Sequence, residues 1–368
     1  MTDLKLSSLL KSAPPIAQHA GKHGVLMGTL VSMEANLRGF PFPGWSQAED
    51  RQAVAQKLLD ALRETKEFKR AYQVNLAELS KAQRYLMLER CQLTHAMAAR
   101  HQGVYAIFSK DQSKECYIND EEHLLYQCFY GCKEAAAEGH AEMLRMRRYL
   151  SEKLDPAEDP ALGMLMSDPS KTGDGFFLSY LLHLPGLRIC KRMNQIINAF
   201  EELDIYCSSI FSAAMDVSDI FMIHSRVSPK GGFADTISLM QDTLSDLTKH
   251  ELAARESLLR SAKNSRSILH EIDHAYRTLT SSATLRYREM LRSLSMLRLG
   301  LYYNSLQGDS VVSGEQIGLA CVNLAPAHLR FHHHISPQNE RMKFRADSIR
   351  ALILDELHIS PNPNFLLS

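Results

Sequence analysis

The chain has 368 residues, of which 45% are hydrophobic and 23% charged, as in a globular protein with ample core. Its 42 basic and 42 acidic residues give a formal net charge of zero. No global field therefore favours nucleic acid or an anionic membrane, and we expect neither as a partner. No apolar run approaches the ~20 residues of a membrane span, and the N-terminus lacks a signal-peptide layout. Seven cysteines, an odd number at irregular spacing, argue against a disulfide framework and favour a cytoplasmic protein.

The first two-thirds of the chain mixes helical and strand-like patterns. After a Gly/Pro-rich start, helical spacing predicts a helix from Ala48 to Arg63 with Ser46 as its N-cap. Trp45, the sole tryptophan, is expected to anchor the core. We predict further helices over 78–100 and 121–154, strands over 104–108 and 115–118, and short apolar segments to about 227.

The last third is almost purely helical in pattern. Between Phe233 and Leu299 there is no glycine or proline, and Leu, Ile and Met recur every three or four residues. This pattern predicts two or three packed helices that end at Gly300, and a final helix follows over 338–357. We therefore expect an α+β domain over 1–255 and an α-helical domain over 256–368.

Several short segments resemble one enzyme family. Asn119-Asp120-Glu121-Glu122-His123-Leu124 is similar to the Asn-Glu-Glu-Asp-His-Leu signature of the phosphagen (guanidino) kinases. Further similar segments occur in the family's order, at 24–29, 36–43, 168–175, 182–187, 219–225 and 294–300. The chain most resembles the bacterial protein-arginine kinases (the McsB family of ATP:guanido phosphotransferases). The resemblance implies a large, mainly antiparallel sheet flanked by helices, followed by a helical C-terminal domain that mediates dimerisation.

The family's functional residues are mostly absent at the matching positions. Where the family has arginines that hold the ATP phosphates, this chain has uncharged residues: Leu30, Ser32, Ala35, Leu125, Phe177 and Cys207. The family's reactive cysteine corresponds to Asp168, and its catalytic glutamate falls near Ser212 or Met215. Glu121 alone remains, from the other carboxylate position.

The missing arginines matter because phosphoryl transfer depends on positioning and on neutralising phosphate charge. Each charge-assisted hydrogen bond is worth roughly 1.5–3 kcal/mol, so losing four or five would abolish useful turnover. Lys171 is the one cation in the 168–175 loop, and a single ammonium cannot replace several guanidinium groups. We therefore expect a catalytically degenerate member with no cofactor and with vestigial Glu121 and Asp168.

Two of these segments have simpler interpretations. The first turn of a helix also favours such residues, because acidic groups stabilise its positive end. A purely structural role at a helix start is therefore the alternative for Glu121, Glu122 and His123. The 168–173 loop suggests a phosphate-binding P-loop, but it lacks the glycines that such a loop needs.

One binding feature of the family has a counterpart near the C-terminus. By resemblance, Arg341 and Arg345 correspond to two arginines that bind phosphoarginine, and their spacing places both on one helix face. The alternative is a solvated basic face that includes Lys343 and Arg350. His328 and the run 332–334 are interpreted as a titrating surface patch, and no metal site is expected.

The sequence thus predicts a pseudokinase that acts as a binding or adaptor protein in Clp-type protein quality control. By resemblance, it would form a homodimer. Its partners would be a Clp-type AAA+ unfoldase, a small zinc-binding activator protein and arginine-phosphorylated proteins. The alternatives are an active but divergent protein-arginine kinase, which would use ATP and magnesium, and a regulatory dimeric scaffold.

Overall fold

The structure is a computed structural model that describes residues 2–3, 14, 24–100, 102–131, 135–210, 218–225 and 232–365. Its strands are β1 Thr2–Asp3, β2 Leu26–Ala35, β3 Tyr72–Asn75, β4 Tyr105–Phe108, β5 Lys114–Ile118, β6 Leu124–Tyr130, β7 Glu158–Asp159, β8 Gly163–Met164, β9 Phe176–His183, β10 Ile205–Ser209, β11 Ile220–Ser225, β12 Leu306–Gln307 and β13 Ser360–Pro361.

The helices of the first part of the chain are α1 Ala48–Glu64, α2 Lys81–Glu89, α3 His95–Ala99, α4 Ala135–Lys153, α5 Pro185–Ile189 and α6 Met193–Glu202. Those that follow are α7 Phe233–Leu259, α8 Ala262–Ser281, α9 Tyr287–Tyr302, α10 Ser310–Asn323, α11 Pro326–His332 and α12 Gln338–Ala351, which continues into a π-helical turn, Leu352–Glu356. None of these helices is long and apolar enough to cross a membrane.

Nine strands form the central sheet, in the order β1-β3-β4-β5-β6-β2-β9-β11-β10. All neighbours are antiparallel except the short β1, which runs parallel to β3. Helices α1, α4 and α7 pack on one face of the sheet and share a continuous hydrophobic core with it. Helices α2 and α3 lie on the other face, over β3, β4 and β5. The predicted α+β fold with a large, mainly antiparallel sheet is confirmed.

The C-terminal region has a hydrophobic core of its own, which begins at Leu258 and ends at Ile359. The core of the sheet extends along α7 as far as Ala254. The two cores thus meet near the end of α7, and the domain boundary after residue 255 stays a prediction. The predicted two or three helices between 233 and 299 are three, α7 to α9, and the last predicted helix is α12 with its π-helical turn.

Two helix predictions were wrong. The predicted 121–154 helix is a strand, β6, followed by α4, and the side chains of β6 alternate between buried and half-buried up to Cys128. This period of two belongs to a strand, and pairing with β5 and β2 on both sides supplies its hydrogen bonds. The predicted 78–100 helix is broken between α2 and α3, where Cys91 has a φ of 56°.

Three local predictions also need correction. Gly300 lies inside α9, where an added Cβ would come within 2.7 Å of Ile272 and Leu306, so close packing requires the glycine. The N-cap of α1 is Gln47, and the hydroxyl of Ser46 instead donates to the Pro43 carbonyl at 3.0 Å. Trp45 is 82% exposed and anchors no core.

Candidate functional site

Four of the six positions named above share one face of the sheet. Ser32 on β2 pairs with Phe177 on β9, and Leu30 lies two residues before Ser32 on the same strand. Leu125 on β6 pairs with Glu34, which is two residues beyond Ser32. Paired residues of antiparallel strands, and alternate residues of one strand, point to the same side. We call this side, which α2 and α3 partly cover, the site face.

Cys207 and Ala35 lie on the opposite face. Cys207 pairs with Ile223 and packs against the hydrophobic core of the sheet. Ala35 packs against Met164 and Met166. Neighbouring residues of a strand alternate, so Ser208 is the residue of β10 on the site face. The register thus separates Cys207 and Ala35 from the other four positions.

The motif at 119–124 forms a turn into β6, so its acidic residues do not open a helix. Asn119 has a φ of 59°, and its amide donates to the carbonyls of Arg51 at 2.8 Å and Gly103 at 2.7 Å. His123 accepts from the Leu37 backbone N–H at 3.0 Å. These contacts tie the loops around the sheet together.

Glu122 has a similar structural role. Its carboxylate accepts from the backbone N–H of Ser167 at 2.9 Å and from the Ser167 hydroxyl at 2.8 Å. It also accepts from the side-chain amide of Asn36. Among the acidic residues at 120–122, Glu121 is the one whose side chain is largely exposed, at 62%.

Glu121 is paired with Lys171 from the 168–175 loop. Lys171 Nζ lies 2.8 Å from Glu121 Oε2 and 3.5 Å from Glu34 Oε2. Burial opposes the charge on Lys171, but Glu34 and Glu121 outweigh it and raise the pKa of the lysine. The hydrogen bond from Lys171 lowers the pKa of Glu121. Burial raises the pKa of Glu34 to about 7, although Lys171 counteracts it.

Next to this cluster, a half-buried histidine packs on Phe177. The ring of His224 on β11 is stacked on Phe177, with centroids 5.6 Å apart and planes at 25°. His224 Nδ1 lies 2.7 Å from the Ser179 hydroxyl. Burial, reinforced by the nearby charge of Lys171, lowers the pKa of His224 to about 4. His224 is therefore neutral near neutral pH and adds no cation to the site face.

Asp168 has a local role in its own loop. Its carboxylate accepts from the Ser170 backbone N–H at 2.9 Å and from the Ser170 hydroxyl at 2.8 Å. It thereby caps the short 3-10 turn Pro169–Lys171. Ser212 and Met215, the positions near the family's catalytic glutamate, lie outside the described residues.

Comparison with known proteins relates this chain to one enzyme family. A profile of the ATP:guanido phosphotransferase, C-terminal catalytic domain, matches residues 53–228. The protein-arginine kinase of Halothermothrix orenii is 22% identical over 86% of this chain and 88% of its own length. That of Bacillus velezensis is 22% identical over 94% of both chains. This chain is related to the ATP:guanido phosphotransferases.

Solved structures of two kinases have the same fold. Lombricine kinase superposes with a TM-score of 0.52 at 16% identity, over 67% of this chain and 72% of its own. The duplicated taurocyamine kinase of Schistosoma mansoni, bound to transition-state-analogue components, gives a TM-score of 0.56 at 15% identity. That match covers 70% of this chain and 38% of the duplicated kinase. The sheet described above thus has the fold found in guanidino kinases.

The site face of this phosphotransferase relative borders a cavity of about 620 Å³. Its floor consists of Leu30, Leu125, Phe129, Leu181 and Met222. Its roof consists of α2, α3 and the turn between them, together with Tyr287 and Pro326 from the C-terminal region. Mostly apolar groups thus surround the space next to Leu30 and Leu125.

The C-terminal arginines are both engaged with backbone carbonyls. Arg345 is 2% exposed and donates to the carbonyls of Leu324 and Leu285, each at 2.8 Å. Arg341 donates to the Ser336 carbonyl. The alternative interpretation, a solvated basic face, does not fit the buried Arg345. These contacts give Arg345 a structural role and leave the phosphoarginine interpretation a prediction.

A carboxylate from the sheet domain reaches the same region. Glu89, at the end of α2, accepts from the backbone N–H groups of Ala327 at 2.7 Å and His328 at 3.2 Å, at the start of α11. Burial raises the pKa of Glu89 to about 7, although these bonds and the two nearby arginines, Arg345 and Arg341, oppose the shift.

The predicted histidine patch is only partly at the surface. His328 is buried, with its ring centroid 5.5 Å from that of His332. Burial, with a contribution from Arg90, lowers the pKa of His328 to about 3. The described residues contain no group of three His, Cys, Asp or Glu side chains that could hold a metal ion.

Sequence reasoning missed Glu34, His224 and Glu89. Glu34 continues the alternation of Leu30 and Ser32 along β2, so the strand pattern contained a signal for it. His224 and Glu89 had no comparable signal, because each meets its partners through contacts between residues far apart in the chain.

Proposed function

We propose that this chain is a non-catalytic relative of the protein-arginine kinases that acts as a binding protein. The observation that carries the proposal is the charge of the site face. None of the described strand residues on this face is an arginine or a lysine. The cation that reaches this face from the 168–175 loop, Lys171, is paired with Glu121 and Glu34.

Electrostatics support this interpretation. A nucleotide triphosphate needs several fixed cations, and protein groups that neutralise the phosphates supply most of the catalysis in phosphoryl transfer. The four substituted positions on this face, Leu30, Ser32, Leu125 and Phe177, have apolar or hydroxyl side chains, and Glu34 and Glu121 add negative charge. Lys171 cannot turn to a phosphate without leaving the buried Glu34 without its counter-ion, which is costly.

Calorimetric titration with ATP–magnesium tests the proposal. We expect no heat of binding under conditions where an active protein-arginine kinase, such as the Halothermothrix orenii relative, gives a clear isotherm. A phosphorylation assay with an arginine-rich protein substrate accompanies it, and we expect no phosphoarginine. Micromolar binding of ATP, or arginine phosphorylation, would overturn the proposal and favour the divergent kinase.

We further propose that the binding partners are those of the protein-arginine kinase family: a Clp-type AAA+ unfoldase, a small zinc-binding activator protein and arginine-phosphorylated clients. The support is similarity to protein-arginine kinases over most of the chain. Analytical ultracentrifugation of the purified chain, alone and with each partner, tests the proposed homodimer and each complex. A monomer that co-sediments with none of them contradicts this part.

Phosphoarginine reading through Arg341 and Arg345 is a narrower form of the same proposal. It requires Arg345 to exchange its two backbone carbonyl partners for a phosphate, or Arg341 to bind the phosphate without it. Titration with free phosphoarginine tests this form. Binding that Arg341→Ala abolishes in a folded protein would support it, and the absence of binding would leave a binding protein that recognises its partners in another way.

A further inference from the structure

The cavity between the site face and helices α2 and α3 has the size and lining of a small-molecule site. Its volume of about 620 Å³ falls within the range of roughly 300–1,000 Å³ that ligand pockets occupy, and such pockets are mostly apolar. Side chains of three strands form its apolar floor, among them Leu30 on β2, Leu125 and Phe129 on β6, and Leu181 on β9. The space is therefore wide enough and apolar enough to hold an organic molecule.

The floor owes its shape to a glycine of β2. Leu30 pairs with Phe129, and an added Cβ at Gly28 would clash with the Phe129 ring. Glycine in a strand often marks the close approach of another group, and here it allows the aromatic ring to lie against β2. An apolar ring thus replaces a side chain from β2 at this point of the floor.

The helical layer closes the cavity from above. Leu93, in the turn between α2 and α3, and Met97 of α3 line it and are 6% and 1% exposed. Tyr287 from the C-terminal region lines it as well. Tyr85 of α2, another lining residue, is 51% exposed, so the cavity meets solvent on the side of this tyrosine. A ligand that enters past Tyr85 would pack between two apolar layers.

The acidic residues of the lining are engaged within the protein. Glu89 accepts from two backbone N–H groups at the start of α11. Glu115 accepts from a tyrosine hydroxyl at 2.7 Å and from a glutamine amide at 2.6 Å. Asp120 forms an ion pair with Arg100. A cationic ligand would have to compete with these internal contacts for a carboxylate.

The buried cation of the lining is engaged in the same way. Arg90 is fully buried and donates to Gln92 at 2.8 Å and to Gln112 at 3.0 Å. An anionic ligand would have to take the guanidinium from these partners and would also lie near carboxylates. Because burial of a charge without a counter-ion is costly, the lining disfavours ligands of either charge.

We propose that this cavity binds an uncharged, largely apolar small molecule, which packs between Leu125 and Phe129 of the sheet and Leu93 and Met97 of the helical layer. Binding removes apolar surface of both the ligand and the lining from water, which is favourable. The engaged charges of the lining select against charged ligands. The proposal goes beyond the loss of kinase chemistry, because it assigns a ligand class to the cavity beside Leu30 and Leu125.

Three probes that share one ring system but differ in charge test it: 1-naphthalenemethanol, 1-naphthylmethylamine and 1-naphthoate. Calorimetry with the full chain at neutral pH should give the tightest binding for the alcohol. Each charged probe should bind about tenfold or more weakly, because its charge must leave water or displace an internal contact.

Two variants test the location. Met222→Trp adds an apolar ring at the floor, so it should fill part of the cavity and weaken binding of the alcohol by about tenfold or more. Leu125→Arg places a guanidinium in the floor and should reverse the preference, so that naphthoate binds more tightly than the alcohol.

The matched controls are Leu144→Trp and Leu144→Arg, because Leu144 is an exposed residue of α4 that does not line the cavity. Both should bind the three probes as the unsubstituted protein does. Far-UV circular dichroism and thermal unfolding identify any variant that fails to fold, and the other variant then tests the location.

Several outcomes would overturn the proposal: no binding of the alcohol, a charged probe bound as tightly as the alcohol, or alcohol binding that is unchanged in the folded cavity variants. ATP–magnesium titrated against the same preparation gives a separate result. ATP binding without alcohol binding would overturn both proposals, and alcohol binding without ATP binding would support both. Binding of both ligands would overturn only the non-catalytic interpretation, and binding of neither would overturn only the cavity proposal.

Discussion

Lys171 Nζ lies 2.8 Å from Glu121 Oε2, so the 168–175 loop forms an ion pair with the acidic turn that precedes β6. The same ammonium group lies 3.5 Å from Glu34 Oε2 and 5.9 Å from the centre of the Phe177 ring. The 168–175 loop is thereby held against the site face through its only cation. This contact joins residues 50 positions apart in the chain.

Loss of Lys171 should destabilise the fold through Glu34. Lys171→Met keeps much of the apolar stem but leaves Glu34 buried without its counter-ion. At pH 8, above the Glu34 pKa of about 7, we expect a loss of about 1–2 kcal/mol in the free energy of unfolding. The loss should shrink in a Glu34→Gln background, because no buried charge then remains uncompensated. Urea unfolding of the double-mutant cycle measures the coupling, with exposed Lys110→Met as the control. Additive effects of the two changes would contradict the pairing.

Glu115 should make stability fall as pH rises. Burial raises the pKa of Glu115 from 4.5 to about 7, although Tyr117 and Gln127 oppose the shift. Between these values the folded protein keeps the proton and the unfolded chain loses it, so the stabilisation is complete below pH 4.5 and is lost toward pH 7.

Glu115→Gln should therefore gain stability relative to the unsubstituted protein as pH rises through this window, by on the order of 1–3 kcal/mol. Glutamine keeps an oxygen that can accept from Gln127. Urea unfolding at several pH values measures the change, and Glu152→Gln, at an exposed position of α4, is the control. Parallel stability curves for Glu115→Gln and the unsubstituted protein would show that Glu115 does not contribute.

Arg345 and Arg341 should respond differently to truncation. Arg345→Ala leaves the carbonyls of Leu285 and Leu324 without their donors in a buried region, and we expect a loss of about 2–4 kcal/mol. Arg341→Ala should cost less than about 0.5 kcal/mol, because the Arg341 side chain lies closer to the surface. Chemical unfolding of both variants measures the two losses in the free energy of unfolding. If Arg345→Ala is as stable as the unsubstituted protein and has lost phosphoarginine binding, a reader site is present instead.

Trp45 should contribute little to folding despite its size. The side chain is 82% exposed, so Trp45→Ser should change the free energy of unfolding by less than about 0.5 kcal/mol. Phe68→Ala, at a fully buried position of the sheet core, should cost about 3–5 kcal/mol. The native protein should also show the fluorescence of a solvated indole, since Trp45 is its only tryptophan. A blue-shifted emission that moves to the red on unfolding would mean that a partner or another copy covers Trp45.

The sequence predicted the class of fold well, because the evidence lay in ordered motifs and in long periodic segments. The glycine- and proline-free stretch from Phe233 to Leu299 has a helical period, and helices form there. Prediction failed where a short apolar run could be strand or helix. β6 is such a run, and pairing with β5 and β2 decided its conformation.

The candidate site was predictable as a set of residue types but not as a geometry. The sequence alone shows which positions are uncharged, namely Leu30, Ser32, Leu125 and Phe177. Their position on one face, with Cys207 on the other, depends on strand register. A register shift of one residue would move the side chains of a strand to the opposite face of the sheet. That Arg345 is buried under its own carbonyl partners could not be inferred from its spacing to Arg341.

The sequence by itself determined the composition of this protein, its family resemblance, its helical C-terminal region and the uncharged residue types at Leu30, Ser32, Leu125 and Phe177. Only the tertiary structure decided that Lys171 pairs with Glu121 and Glu34, that Glu89 caps α11, and that Leu30 and Leu125 line an apolar cavity. The physical reason is that periodicity and composition are local properties of the chain. The partner of a buried charge is set instead by the packing of segments that lie far apart in sequence.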